Sequence, residues 1–192
     1  DTPLRARGII ALNLRDEDQL KWVMWTDGNK DIMISTSDGQ CVRFDENDVR
    51  SMGRNATGVN AIRLRKGDSI VATAAVDKED TRELLVVGEA GLGKRTLLSD
   101  YPRKGRATQG VITLKVTERT GAVVAALVVE PDDEVLCITS QGVIIRVPVN
   151  EIRETGRNAQ GVKIVTPNED SVVVAVAKIV RYAGETPGDV TV

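Results

Sequence analysis

The chain has 192 residues, 41% hydrophobic and 28% charged, enough for one substantial core or two small ones. It contains no histidine and only 3% aromatics. That removes His-based nucleophile triads, His metal sites and broad stacking on single-stranded bases. The net charge of −2 points in bulk to no particular partner, and the composition excludes bulk disorder. No apolar run approaches the roughly 20 residues of a membrane helix, and no signal peptide opens the chain. A chain that starts at Asp1 without a methionine reads as a piece of something longer.

Strands are the recurring expectation along the chain. Arg5-Ala6-Arg7-Gly8-Ile9 comes first, then an acidic step at Asp16-Glu17-Asp18. Trp22 and Trp25 flank one strand and read as packing residues. Residues 32–36 and 41–44 are apolar runs separated by a glycine turn, the pattern of a β-hairpin. The same hairpin returns at 84–87 with 94–97, and at 135–139 with 143–147. Short helical turns are expected near 47–50, 99–101 and 150–153. Strands are expected at 58–64, 110–116 and 161–165, each opened by a glycine. Longer Val- and Ala-rich strands are expected at 69–76, 122–129 and 171–179. The two cysteines, Cys41 and Cys137, sit among alternating apolar residues and read as small buried hydrophobes in a reducing compartment. The tail, 182–192, reads as unstructured.

These elements repeat. Gly53-Arg54-Asn55-Ala56-Thr57-Gly58-Val59 returns as Gly105-Arg106-Ala107-Thr108-Gln109-Gly110-Val111. It returns again as Gly156-Arg157-Asn158-Ala159-Gln160-Gly161-Val162. The hairpin turns at Gly39, Gly91 and Gly142 keep the same phase, each with an arginine four residues on at Arg43, Arg95 and Arg146. About four strands in roughly 50 residues is the signature of a propeller-like blade. The expected fold is all-β and propeller-like, with about 3.5–4 four-stranded blades in one domain over 1–181. Its units are about 1–52, 53–104, 105–155 and 156–181.

Charge follows the same period. Residues 49–67 carry Arg50, Arg54, Arg63, Arg65 and Lys66 and no acid. Residues 101–115 carry Arg103, Lys104, Arg106 and Lys115 and no acid. Arg5 and Arg7 belong to the first copy, Arg157 and Lys163 to the last. Acids gather at another phase, at Asp77, Glu79 and Asp80, at Glu130, Asp132, Asp133 and Glu134, and at Glu169-Asp170. Stacked units would put the basic segments on one rim, forming a positive track on a protein of slightly negative charge. Such a track suits duplex DNA, whose phosphates release counterions to Arg and Lys without base readout. Two readings of the Gly-Arg turns stay open: phosphate contacts, or blade-linking turns with solvated arginines.

The G-R-x-x-x-G-V turns and G-x-x-x-R hairpins, with residues 48–59, 93–101 and 115–119, resemble the C-terminal domain family of the DNA gyrase A protein. The resemblance runs from about Leu4 to Arg181. It implies a β-pinwheel whose blades exchange strands and whose basic outer edge binds and wraps duplex DNA. It also implies partners: the remaining domains of the gyrase A protein, together with gyrase B, in an A2B2 type IIA topoisomerase that supercoils DNA negatively with ATP and Mg. Cleavage and ATP hydrolysis would lie elsewhere, so this piece would have no catalytic residue, metal or cofactor of its own. Its place would be the cytoplasm, with the nucleoid. The corresponding protein of topoisomerase IV shares the repeats and is the alternative within the class. Two departures matter: the chain holds about half the usual repeats, and it lacks the Q-R-R-G-G-K-G box needed for wrapping. Binding and bending without wrapping are therefore expected. The phosphate contacts expected are Arg5, Arg7, Arg54, Arg63, Arg65, Lys66, Arg103, Lys104, Arg106 and Arg157.

Other patterns carry less. Residues 88–96 nearly spell a phosphate loop, but Arg95 stands where the Mg-binding hydroxyl belongs, and the equivalent hairpins have no such loop. A hairpin turn is the expected reading, with Lys94 and Arg95 still able to reach phosphate. Tyr101 and Tyr182 are not read as cleavage tyrosines, and Asn55-Ala56-Thr57 is not read as a glycosylation site. A propeller-like protein-interaction module is the alternative outside the class.

Overall fold

A computed structural model describes residues 8–180. Its strands are β1 (Lys30–Thr36), β2 (Gln40–Asp45), β3 (Ile70–Asp77), β4 (Glu83–Gly88), β5 (Leu92–Leu97) and β6 (Val111–Ile112). They continue with β7 (Val123–Val129), β8 (Glu134–Thr139), β9 (Ile144–Pro148), β10 (Val162–Lys163) and β11 (Val173–Lys178). Single 3₁₀ turns follow the hairpins at Glu46–Asp48, Leu98–Asp100 and Val149–Glu151.

The strands form three antiparallel sheets, ordered β3-β1-β2-β6, β10-β5-β4-β7 and β11-β8-β9. Each hairpin closes through a turn in which the glycine N–H donates back three residues: Gly39 to Thr36, Gly91 to Gly88 and Gly142 to Thr139. The three glycines have φ of 73°, 77° and 78°. That left-handed position after a tight turn is the glycine-bulge hairpin.

Strand exchange ties the sheets together. Residues 111–112, which lie beyond the second hairpin, form the outer strand of the first sheet. Residues 162–163, beyond the third hairpin, do the same for the second. These outer strands are shorter than expected at 110–116 and 161–165. Segment 58–64 forms no strand; only Ile62 makes a β-bridge, to Thr108.

Two cores fill the spaces between sheets. Met33, Cys41, Leu84, Val86, Tyr101, Leu114 and Val123 pack between the first and second. Leu85, Val87, Val135, Cys137, Val149, Val165 and Val173 pack between the second and third. Alternation along β4 sends Leu84 and Val86 one way and Leu85 and Val87 the other, so this strand serves both cores. Each fully buried side chain of this kind contributes about 1.5–3 kcal/mol. The inner strand β7 packs beside both β3 and β11.

Both cysteines are buried, as expected, and burial pushes the Cys41 thiol up to about 12 and the Cys137 thiol to about 11. Tyr101 is buried with its hydroxyl 2.6 Å from Thr113 Oγ1. The expected strand with Trp22 and Trp25 at its flanks does not form, and Trp25 is 95% exposed. Trp25 is therefore not a packing residue among the described contacts. Arg5, Arg7, Tyr182 and the tail 182–192 lie outside the described residues.

Candidate nucleic-acid interface

Two of the three described basic segments lie where the chain crosses to the outer edge of the preceding sheet; the remaining one, 49–67, forms no strand and lies beside the next basic segment. Residues 101–115 run up to and past β6, and residues 153–163 run up to β10, both edge strands. The acidic groups occupy a different place, the connections from an inner strand to the next hairpin. There the Asp77 N–H donates to Asp80, and the Glu130 N–H donates to Asp133 in the equivalent turn. Charge thus separates by topology.

Successive basic segments are joined by their backbones. The Arg63 N–H donates to the Thr108 carbonyl at 2.8 Å, and the Ala107 N–H to the Ala61 carbonyl at 2.8 Å. One unit earlier, the Asn13 N–H donates to the Ala56 carbonyl at 3.2 Å. Arg65 of one segment and Lys115 of the next line the same shallow recess. Segments 49–67 and 101–115 therefore lie side by side, and the third basic segment is tied to the second through the Arg157 side chain on the Ile112 carbonyl.

The arginines of the Gly-Arg turns divide into two roles. Arg106 donates from Nε to the Asp48 carbonyl and from Nη1 to the Asn60 carbonyl. Arg157 donates from Nη1 to the Ile112 carbonyl, the position equivalent to Asn60. Each thus clamps the segment of the preceding unit. Arg54 is exposed, and its side chain makes no hydrogen bond among the described residues. Arg63, Arg65, Lys66 and Lys104 are likewise exposed with free side chains among the described residues. Arg103 is committed: its Nε lies 2.9 Å from Asp31 Oδ1 and its Nη2 donates to Oδ2 at 3.0 Å. That bond to Asp31 raises its pKa above the usual arginine value.

The near-phosphate-loop residues are structural. Lys94 is fully buried and donates to the carbonyls of Gly156, at 2.8 Å, and Arg157. Burial, with Arg157 nearby, lowers its pKa to about 8. Arg95 pairs with Glu83 at 2.6 Å and donates to the Ile152 carbonyl. The expectation that these two side chains could reach phosphate is corrected on this ground. The arginine shared by the three hairpins has one job. Arg43 pairs with Asp31 at 2.7 Å, Arg95 with Glu83 and Arg146 with Glu134 at 2.5 Å, always joining equivalent positions.

The sequence model of the family described as "DNA gyrase C-terminal domain, beta-propeller" matches residues 4–24, 30–77, 82–130 and 133–179. The chain belongs to this DNA gyrase C-terminal domain family. It is 44% identical to the DNA gyrase A protein of Klebsiella oxytoca over 175 residues, 91% of this chain and 20% of the relative. It is 42% identical to that of Escherichia coli K12 over 95% of this chain and 21% of the relative. The chain therefore spans about a fifth of the curated relatives it matches. A crystal structure of the C-terminal domain of DNA topoisomerase IV superposes with a TM-score of 0.81, at 26% identity, over 88% of this chain and 52% of the other. A structure of the DNA gyrase A C-terminal domain superposes at 0.76, with 27% identity over 91% of this chain and 59% of the other.

Within this gyrase-type fold, sequence reasoning passed over Lys115 as a site residue. Its signal was available: Lys115 is the equivalent of Arg63 one unit on, exposed and beside Arg65. Among the described residues no group of three or more His, Cys, Asp or Glu side chains is placed to hold a metal ion.

Proposed function

We propose that this chain binds duplex DNA without reading its sequence and bends it along the outer edge, as part of a gyrase A protein. The observation that carries this reading is the side-by-side joining of successive basic segments, with free cations among the described residues at Arg54, Arg63, Arg65, Lys66 and Lys104. Lys115 joins them. Arg103, Arg106 and Arg157 then serve mainly to hold the track in shape, while Arg5 and Arg7, outside the described residues, remain proposed phosphate contacts on sequence grounds alone. Free guanidinium and ammonium groups on a solvent-facing edge gain from counterion release at phosphates, whereas bases need no contact.

In the whole enzyme the chain would present bent DNA to a gate in another domain. ATP hydrolysis by gyrase B in an A2B2 assembly would drive negative supercoiling in the cytoplasm. The equivalent part of a topoisomerase IV is the second reading, favoured by the 0.81 superposition. The sequence identity of 42–44% to gyrase A proteins favours the first.

The test is binding of the chain to a random-sequence duplex of about 40 base pairs, titrated over salt. Each phosphate neutralised contributes about −0.9 to the slope of log K against log salt. Arg63→Ala with Arg65→Ala is expected to shrink the slope by about 1.8 with an unchanged melting temperature. Absence of binding at low salt, or an unchanged slope in that variant, would overturn the proposal. Salt-resistant capture of a protein without DNA binding would favour the interaction-module alternative.

A further inference from the structure

Lys94 stands where the equivalent strands carry apolar residues. Its counterparts in phase are Val42 on β2 and Ile145 on β9. It pairs in register with Val86 of β4 and is 0% exposed. A buried cation is costly, as its lowered pKa records, and Val42 fills the same place in its own sheet at 1% exposed. Packing alone therefore gives no reason for an ammonium here. Its reach does: Nζ donates to the carbonyls of Gly156, at 2.8 Å, and Arg157.

Three successive side chains of β5 hold the third basic segment. Beside Lys94, Arg95 donates from Nε to the Ile152 carbonyl and Thr96 from Oγ1 to the Thr155 carbonyl at 2.7 Å. The Thr155 N–H donates back to the Arg95 carbonyl at 2.9 Å. The first sheet keeps that backbone bond, from the Lys104 N–H to the Arg43 carbonyl at 2.7 Å, but Val42 and Phe44 have no side-chain donor to offer. There the Gly-Arg turn is held from outside, by the two bonds of Arg106 to carbonyls of the preceding unit. Arg157 makes one such bond among the described residues, to the Ile112 carbonyl at 3.3 Å, and Lys94 holds its backbone from within.

We propose that Lys94 is a positioning residue for DNA: its grip on the Gly156 and Arg157 carbonyls sets the Arg157 guanidinium on the Ile112 carbonyl and so fixes the recess that carries Arg65 and Lys115. This role rests on the reading of that edge as a DNA track. Ile112, Arg65 and Lys115 line one recess, so the bond from Arg157 reaches the wall from which two exposed cations project. Lys94 itself is enclosed and touches no phosphate; its effect on DNA passes through Arg157. A track held in its bound shape before DNA arrives spares the cost of ordering it on binding.

The experiment is a double-mutant cycle near neutral pH, with Lys94→Met, Arg157→Ala and the two combined, each titrated over salt with the same random-sequence duplex. Lys94→Met is expected to weaken binding about two- to tenfold at every salt concentration, with an unchanged slope. Arg157→Ala is expected to weaken binding at least as much, and the combined variant no more than Arg157→Ala alone, because Lys94 acts through that side chain. Without DNA, amide exchange at Ala159, whose N–H donates to the Gly156 carbonyl at 3.1 Å, is expected to accelerate in Lys94→Met while exchange at Leu85 does not. Circular dichroism checks folding; if Lys94→Met is not folded, Lys94→Val, the side chain of position 42, takes its place. Unchanged affinity in the Lys94 variant overturns this role and leaves the DNA reading standing. Additive losses in the combined variant overturn it too, since Lys94 would then act on the fold at large. A wild-type chain that binds no DNA overturns both.

Discussion

Lys94 gives the chain a measurable dependence on alkaline pH. Its ammonium is fully buried against the Gly156 and Arg157 carbonyls, with its pKa lowered from 10.5 to about 8. Below about pH 8 the group is charged in both folded and unfolded chains, and the cost of burying that charge is carried in full. Between about 8 and 10.5 the folded chain releases the proton while the unfolded chain still holds it, so the contribution of Lys94 to stability rises with pH. The full rise is about 3 kcal/mol. Three other groups oppose it: the Cys41 and Cys137 thiols and the Tyr101 phenol are held protonated by burial, which subtracts stability as the unfolded chain ionises. They are common to the wild-type chain and to Lys94→Met, so the difference between the two isolates the lysine. Urea unfolding of both proteins from about pH 7 to 11 is the assay. The variant carries a constant cost for two carbonyls without a donor. The wild-type chain is expected to gain on it by about 3 kcal/mol across the window. A difference that stays flat with pH would refute the argument.

Two further outcomes follow from buried geometry. Asp31→Asn leaves the Arg43 guanidinium, 7% exposed, without its carboxylate and is expected to cost about 3 kcal/mol in urea unfolding; Arg103→Ala, at a half-exposed partner of the same carboxylate, costs under about 1 kcal/mol. Gly91→Ala drives a Cβ to 2.3 Å from the Val165 carbonyl, so amide exchange at Val162 and Lys163 is expected to accelerate, whereas Gly142→Ala costs only about 1 kcal/mol for its positive φ.

The hairpins were legible because two independent signals, a glycine turn and apolar alternation, coincide at 39, 91 and 142. The shared role of Arg43, Arg95 and Arg146 was legible for the same reason: a residue that returns in phase answers to one geometry. The outer strands were read too long, because a short exchanged strand has the same apolar pattern as the loop continuing from it. For residues 58–64 the pattern was complete and the pairing partner was not. Whether an arginine faces solvent or a carbonyl is also invisible in spacing: Arg54 and Arg106 occupy equivalent positions, and among the described residues only the second grips a neighbouring turn, 46–48. The buried Lys94 defeated expectation because lysines are rarely enclosed, and its partners lie 62 and 63 residues away. Trp25 misled because an aromatic in an apolar run usually packs, while here Trp22 and Met24 of that run line a recess with Ile32 and Ile34 and Trp25 is left exposed.

Exchanged strands also impose an order on the chain as it is made. β2 is complete at Asp45, yet its outer neighbour begins only at Val111, after the entire second hairpin. β5 ends at Leu97 and waits in the same way for Val162. A growing chain therefore always carries one open edge, and that edge closes only when the next hairpin has already emerged. The first and second sheets are each latched by a strand from beyond the next hairpin, so their closing lags one hairpin behind the growing chain. A cut between hairpins would open the latch behind it as well as the sheet ahead.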